Sequence, residues 1–311
     1  MISRLDVERS AIDVAHDLMQ QGNVGEARKI AEEELEQITS ETNTPELWRL
    51  RFILARALEA QGHVAEALQY LESLAHPCER DKESRAFVKM YRGSFTGYLG
   101  RYEASYLLFE EAEMIARDGD LLEALGDIHL SRAFIYFRQK DYTYSEASFR
   151  KALELSEKVG GWYLRGHGLW GIGKNLMIQE HYHEAMPWLE ESLSIFEKAD
   201  ARLAMATVWS ELAVCYLGLG DDIKAMELLR KAELVNRESG SVHNYQVILA
   251  VIGNVYLHRR DYFTAISYYQ SALAIAREIK DPVSTKKWTR NINLAYARIR
   301  LAVDQQNPRI A

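Results

Sequence analysis

Residues 165–175 read RGHGLWGIGKN. Gly166-x-Gly168-x-x-Gly171 has the spacing of a dinucleotide-binding turn, and Gly168-x4-Gly173-Lys174 has that of a phosphate-binding loop. Such glycines act by baring backbone N–H groups to a phosphate where a strand turns into a helix. The surroundings suit neither motif. The preceding KALELSEKVGGWY is not β-rich, and Asn175 stands where a phosphate loop needs a magnesium-binding hydroxyl. His181 and His183, with Glu184 beside them, could begin a metal site, but no third and fourth ligands accompany them. No Gly-x-Ser-x-Gly, HExxH or Cys-x-x-Cys pattern occurs. No catalytic, cofactor-binding or metal-binding residue is assigned, and the chain is expected to be no enzyme and to need no cofactor.

Composition narrows the remaining classes. The chain has 311 residues, 48% hydrophobic and 27% charged, as globular proteins do. Its net charge of −7 does not suit binding a polyanion over a whole face. The segment from Val283 to Ala311 is the exception, with six basic residues and one acid, +5 against −12 for the rest. It lacks an aromatic ladder or a helix-turn-helix, so a polar helical cap is expected there, and no nucleic acid as partner. No run of 18 apolar residues occurs, and the N-terminal MISRLDVERSAIDVAHDL is not a signal peptide. No membrane partner is expected. Cys78 and Cys215 lie far apart in sequence, which fits a reducing, cytoplasmic setting.

What positions the side chains is an internal period. QGNVGEA (21–27) returns as QGHVAEA (61–67), followed by LGRYEAS, QKDYTYS, QEHYHEA, LGDDIKA and RRDYFTA. Their last residues are Ala27, Ala67, Ser105, Ser145, Ala185, Ala225 and Ala265, in steps of 40, 38, 40, 40, 40 and 40. Twelve residues upstream stand Ala15, Ala55, Gly93, Ala133, Gly173, Ala213 and Gly253, all Gly or Ala. A small residue midway along one helix lets the next approach closely, and the apolar spacing on both sides of each turn is helical. Thr44-Pro45-Glu46 and Asp281-Pro282 read as helix starts.

Trp209-x2-Leu212-Ala213-x2-Tyr216, followed by Gly220, Ala225, Leu229 and Ala232, resembles the tetratricopeptide repeat. KDYTYSEASFRKALEL (140–155) and RDYFTAISYYQSALAI (260–275) resemble it too. The period of about 40 residues is similar to that of bacterial regulator sensor domains and Pins-type adaptors. The resemblance implies an all-α fold: a right-handed α-solenoid of about seven helix pairs plus a C-terminal capping helix, in one domain over 1–311. The repeats are placed at about 8–40, 46–78, 86–118, 124–158, 164–198, 203–237 and 243–279, and the cap at about 283–303.

The resemblance also implies a concave face lined by the first helix of each pair. Carried onto this register, that face comprises Arg49, Phe52, Arg56, Phe87, Met90, Tyr98, Phe134, Phe137, Arg138, His167, Trp170, Lys174, Met177, Asn254 and His258. Aromatics with scattered cations suit a protein or peptide with acidic and bulky apolar residues. Lys174 and Asn254 echo the clamp of chaperone-binding members, but Val214 stands between them and the clamp is not expected. The expected function is a non-catalytic scaffold or adaptor. The alternative is a signalling regulator or sensor module for a small ligand or signalling peptide. A nucleotide-binding enzyme using 166–174 has the least support. With a repeat beginning by residue 8, no effector segment is expected within the chain.

Three local expectations follow. Gly166, Gly168, Gly171 and Gly173 in one helix should open a shallow pocket on the inner wall, offsetting about 1 kcal/mol lost at each relative to alanine. Arg92 and Arg132, at a column otherwise apolar, should form an ion-pair ladder with Glu110, Glu111 and Glu113. Trp162, Trp188 and Trp288 are candidates for an outer surface that supports self-association.

Overall fold

A computed structural model describes residues 10–37, 44–75, 78, 81–238, 242–279 and 281–306. The expected repeat limits at 8 and 40 and the basic Arg309 lie outside them. The described residues are helical throughout, without strands. They fall into two compact units, 1–139 and 140–311.

The first unit holds α1 (Ala11–Gln21), α2 (Val24–Gln37), α3 (Pro45–Ala60), α4 (Val64–Ser73), α5 (Lys82–Tyr98), α6 (Tyr102–Asp118) and α7 (Leu122–Gln139). The second holds α8 (Tyr142–Val159), α9 (Tyr163–Ile178), α10 (Tyr182–Lys198), α11 (Arg202–Gly218), α12 (Asp222–Glu238), α13 (Val242–His258), α14 (Tyr262–Glu278) and α15 (Pro282–Gln306). Consecutive helices pack as hairpins, α5 on α6, α9 on α10, α11 on α12 and α13 on α14, and α15 lies on α14. Each unit is a tetratricopeptide-like helical solenoid.

Side-chain caps start many of these helices. Thr44 Oγ1 accepts from Leu47 N at 3.3 Å with Pro45 in the first turn, and Asp81 Oδ2 accepts from Ser84 N at 2.8 Å. Asp281 Oδ1 accepts from Val283 N and Ser284 N. Each satisfies an N–H that the helix leaves without an internal partner.

The period explains the packing. The residues at the end of the repeated phrase, Ala27 through Ala265, have no exposed surface at any of the seven positions. At Ser105, where serine replaces alanine, the hydroxyl reaches across the hairpin and donates to Gly93 O at 2.6 Å; Ser192, two turns beyond Ala185, donates to Gly166 O at 2.8 Å. Backbones approach that closely only over small side chains.

The turn inside each pair needs a left-handed residue. Gly22, Gly62, Gly100 and Gly220 supply it, but at the matching corners stand Lys140, Glu180 and Arg260, with φ of 65°, 65° and 63°. An L side chain is strained there, and glycine is not. Glu180→Gly and Arg260→Gly should each stabilise by about 0.5–1 kcal/mol, and Gly100→Ala, which has open space around it, should lose about 1 kcal/mol. Urea melts of the three variants check this; a stabilised Gly100→Ala would contradict it.

Three expectations need correction. A Cβ on Gly166 would collide with the Phe196 ring, one on Gly171 with the Phe149 ring, and one on Gly173 would sit 2.8 Å from Leu189. These glycines receive side chains of neighbouring helices, so they open no pocket. Arg132 Nη2 lies 2.7 Å from Glu113 Oε2, but Glu111 pairs with Lys89, and Arg92 pairs with none of the three glutamates. The ladder is a single rung. Trp288 is buried, and its indole N–H donates to Gln246 Oε1 at 3.2 Å, so it presents no outer surface. Trp162 and Trp188 are half-buried.

Candidate functional site

In the first unit, four first helices, α1, α3, α5 and α7, line an open cavity of about 740 Å³. Its position follows from helical spacing. Residues six before, two before and one after the small packing residue fall on one helix face. In α3 these are Arg49, Ile53 and Arg56, in α5 Phe87 and Tyr91, in α7 Asp127 and in α1 His16, and all line the cavity.

The walls are aromatic. Phe52 lies 5.9 Å from Trp48, 5.7 Å from Phe87 and 5.3 Å from Tyr91, centroid to centroid. Tilted contacts at these distances are favourable and hold the rings in place. Arg51 backs the cluster, with its guanidinium 4.5 Å from the Trp48 ring centre.

Charges of both signs line the cavity. His16, Arg49 and Arg56 are the basic groups, and Asp13 shares α1 with His16. Burial, then the neighbouring Arg56 guanidinium, holds His16 below the usual imidazole value. Asp127 and Glu123 of α7 and Asp81 and Glu83 at the start of α5 are the other acids. Burial, then the charge of Glu123, pushes the Asp127 carboxyl up to about 7, and Arg56 only partly opposes them. Below these, burial raises Glu59 as well, with Arg56 and Arg138 opposing.

Of the expected residues in this unit, Arg49, Phe52, Arg56 and Phe87 meet in the cavity. Tyr98 and Arg138 lie together further along, with the guanidinium 5.2 Å from the ring centre. Phe134 and Phe137 are half-buried. Met90 is 2% exposed and offers nothing to a ligand, because it sits one residue before the lining position that Tyr91 occupies.

In the second unit, Lys174 Nζ lies 2.6 Å from Glu211 Oε1 and 4.8 Å from the centre of the Trp170 ring. His167 meets Trp170 edge to face at 6.1 Å, and its Nδ1 lies 2.9 Å from Tyr163 O. Lys287, from α15, faces the same pair. Burial holds its ammonium below the usual lysine range, Glu211 opposes, and Lys174 adds to the lowering. Asn254 Oδ1 accepts from the Tyr269 hydroxyl at 2.7 Å, and His258 Nδ1 lies 2.8 Å from Asp222 Oδ1. Asn254 is half-buried, and His258 is exposed beside Asp222. Met177 is 5% exposed and belongs to the core.

The glycine motif takes its place here too. Residues 166–174 lie inside α9, so their N–H groups are committed to the helix and cannot cradle a phosphate. His181 and His183 flank the start of α10, and among the described residues no three or more His, Cys, Asp or Glu are placed to hold a metal ion.

Three family models, each described as a tetratricopeptide repeat, match residues 124–198, 13–82 and 248–283. The chain belongs to the tetratricopeptide-repeat family. A tetratricopeptide repeat protein 30 homolog of Aedes aegypti is 27% identical over 158 residues, 49% of this chain. That stretch spans only 23% of the Aedes protein. Among solved structures, a Rap protein complexed with Competence and Sporulation Factor is 17% identical, with a TM-score of 0.64 over 95% of this chain and 88% of that one. The Rap conjugation gene regulator of plasmid pLS20, in complex with the Phr* peptide, is 13% identical, with a TM-score of 0.69 over 90% and 80%. At these identities the likeness is one of fold. The aromatic cavity and the lysine pair therefore sit on a tetratricopeptide-repeat frame. Among the described residues, no helix is long and apolar enough to cross a membrane.

Proposed function

We propose that this tetratricopeptide-repeat chain is a non-catalytic scaffold that docks a protein or peptide on its first-helix face. The observation that carries the reading is the cavity walled by Trp48, Phe52, Phe87 and Tyr91 with charges of both signs at its rim. Aromatic and arginine anchors in a concave site provide most of the energy of protein recognition. Lys174 and Lys287 in the second unit suit carboxylates of a partner, and two thiols buried at Cys78 and Cys215 fit a cytoplasmic setting. The similarity to two Rap structures solved with Competence and Sporulation Factor and with the Phr* peptide supports a second reading. In it the docked molecule is a signalling peptide and the chain a regulator.

Peptides selected from a random heptamer display on the full chain, then titrated calorimetrically, test the proposal. Phe52→Ala with Phe87→Ala should weaken the selected peptides roughly tenfold or more, with the melting cooperativity kept. Unchanged affinity in that variant would overturn the assignment of the face.

A further inference from the structure

Asp127 is the oddest group in the cavity. It lines the cavity half-buried, yet among the described residues it has neither a hydrogen-bond nor an ion-pair partner. Glu123, four residues earlier on α7, lines the same cavity, and Glu83 and Asp81 at the start of α5 and Asp13 of α1 bring the carboxylates of the lining to five. An unpaired carboxylate beside another in a poorly hydrated wall is costly to the folded chain. A cation entering the cavity would relieve it, whereas a second anion would add to the repulsion. Phe52, Phe87 and Tyr91 stand beside the acids and provide faces for the aliphatic stem of a long cationic side chain. Arg49 and Arg56, in the same lining, would meet the opposite charge.

We infer that the cavity takes a lysine or arginine side chain of the bound peptide against Asp127 and Glu123, with a neighbouring acidic residue of that peptide toward Arg49 and Arg56. This rests on the peptide-docking reading above and adds a cationic residue to the acidic and bulky apolar ones that the sequence suggested. The second unit's lysines keep the preference for acidic ones.

The groups that face Asp127 set the pH behaviour. Glu123 on its own helix, Asp81 and Glu83 at the start of α5, Arg49 and Arg56 on α3, and Asp13 and His16 on α1 all line the same cavity. The free Asp127 carboxyl titrates at about 7. A bound cation favours the ionised form, so affinity rises as pH climbs towards 7 and then levels off. Protonation of His16 at low pH would repel the cation and slope the same way, so the variant must separate the two.

The test uses labelled peptides that share one phenylalanine and one aspartate and differ at one position, as lysine, norleucine or glutamate. Binding to the full chain is followed by fluorescence anisotropy at about pH 5.5 and about pH 8, and for Asp127→Asn alongside. The lysine peptide should bind roughly tenfold more tightly than the norleucine peptide at the higher pH. Asp127→Asn should abolish both that preference and the pH slope. Equal binding of the three peptides, or a slope that survives in Asp127→Asn, overturns the inference while leaving docking intact. If no peptide of this set and none from the display binds a chain that still melts cooperatively, the inference and the docking reading fall together.

Discussion

Asp127→Asn stabilises the free protein by about 2–4 kcal/mol at pH 8 and by almost nothing at pH 4, as read by urea melts across that range. The folded carboxyl titrates near 7, and an unfolded aspartate titrates at about 3.9. Between those values the folded chain holds a proton that the unfolded chain has released. Wild-type stability therefore falls as pH rises from about 4 to about 7 and stays low above that. Asparagine keeps the shape and cannot ionise, so its advantage grows over the same window. A stabilisation of the same size at both ends of the range would mean that Asp127 is solvated and ordinary. A residue that lowers stability at neutral pH while lining a cavity is placed as binding residues are, where function and stability trade against each other.

The second large effect is a sign change between two glycines one turn apart. Gly171→Ala loses about 1–3 kcal/mol, and Gly168→Ala gains up to about 1 kcal/mol. Both substitutions favour the helical backbone of α9. At Gly168 the new methyl meets Leu153 Cβ and Phe149 O at 3.4 Å, an ordinary contact. At Gly171 it collides with the Phe149 ring, which is 1% exposed and has nowhere to swing. Overpacking of that kind outweighs the propensity gain. Phe149→Leu combined with Gly171→Ala should recover part of the loss, so the double-mutant cycle reports a coupling of roughly 1 kcal/mol. A Gly171→Ala variant more stable than the wild type would refute this account of the glycine-rich helix.

Much of the fold is legible in the sequence because the small residues repeat. Ala27, Ala67, Ser105 and their successors mark second helices, and their partners twelve residues earlier mark first helices. Close packing tolerates little else at those positions, so their spacing survives where the surface varies. The site is legible column by column. Arg49, Phe87 and Asp127 share one column, and His16, Arg56 and Lys174 share another, so Arg49, Phe87, Arg56 and Lys174 are found by counting alone.

Neighbouring columns are where counting fails. Met90 and Tyr91 differ by one residue, which turns a side chain by about 100° around the helix. One ends in the core and the other in the cavity. Glu211 and Lys287 escaped notice because nothing in a single repeat says that α11 and α15 converge on Lys174. The four glycines misled in a plainer way: a missing side chain means room, but not which neighbour fills it.

The docking of α15 has a practical consequence for anyone trimming the chain. Trp288 and Ala295 cover Tyr269, Ala272 and Leu273, and Gln246, wholly buried, is held by Asp281 and the Trp288 indole. A version cut after Glu278 would strip an oily end-plate bare and leave a sequestered amide without either mate, inviting clumping and protease attack. Expression boundaries drawn at the last sequence repeat are too short by one helix, and the fragment worth making runs on through Gln306.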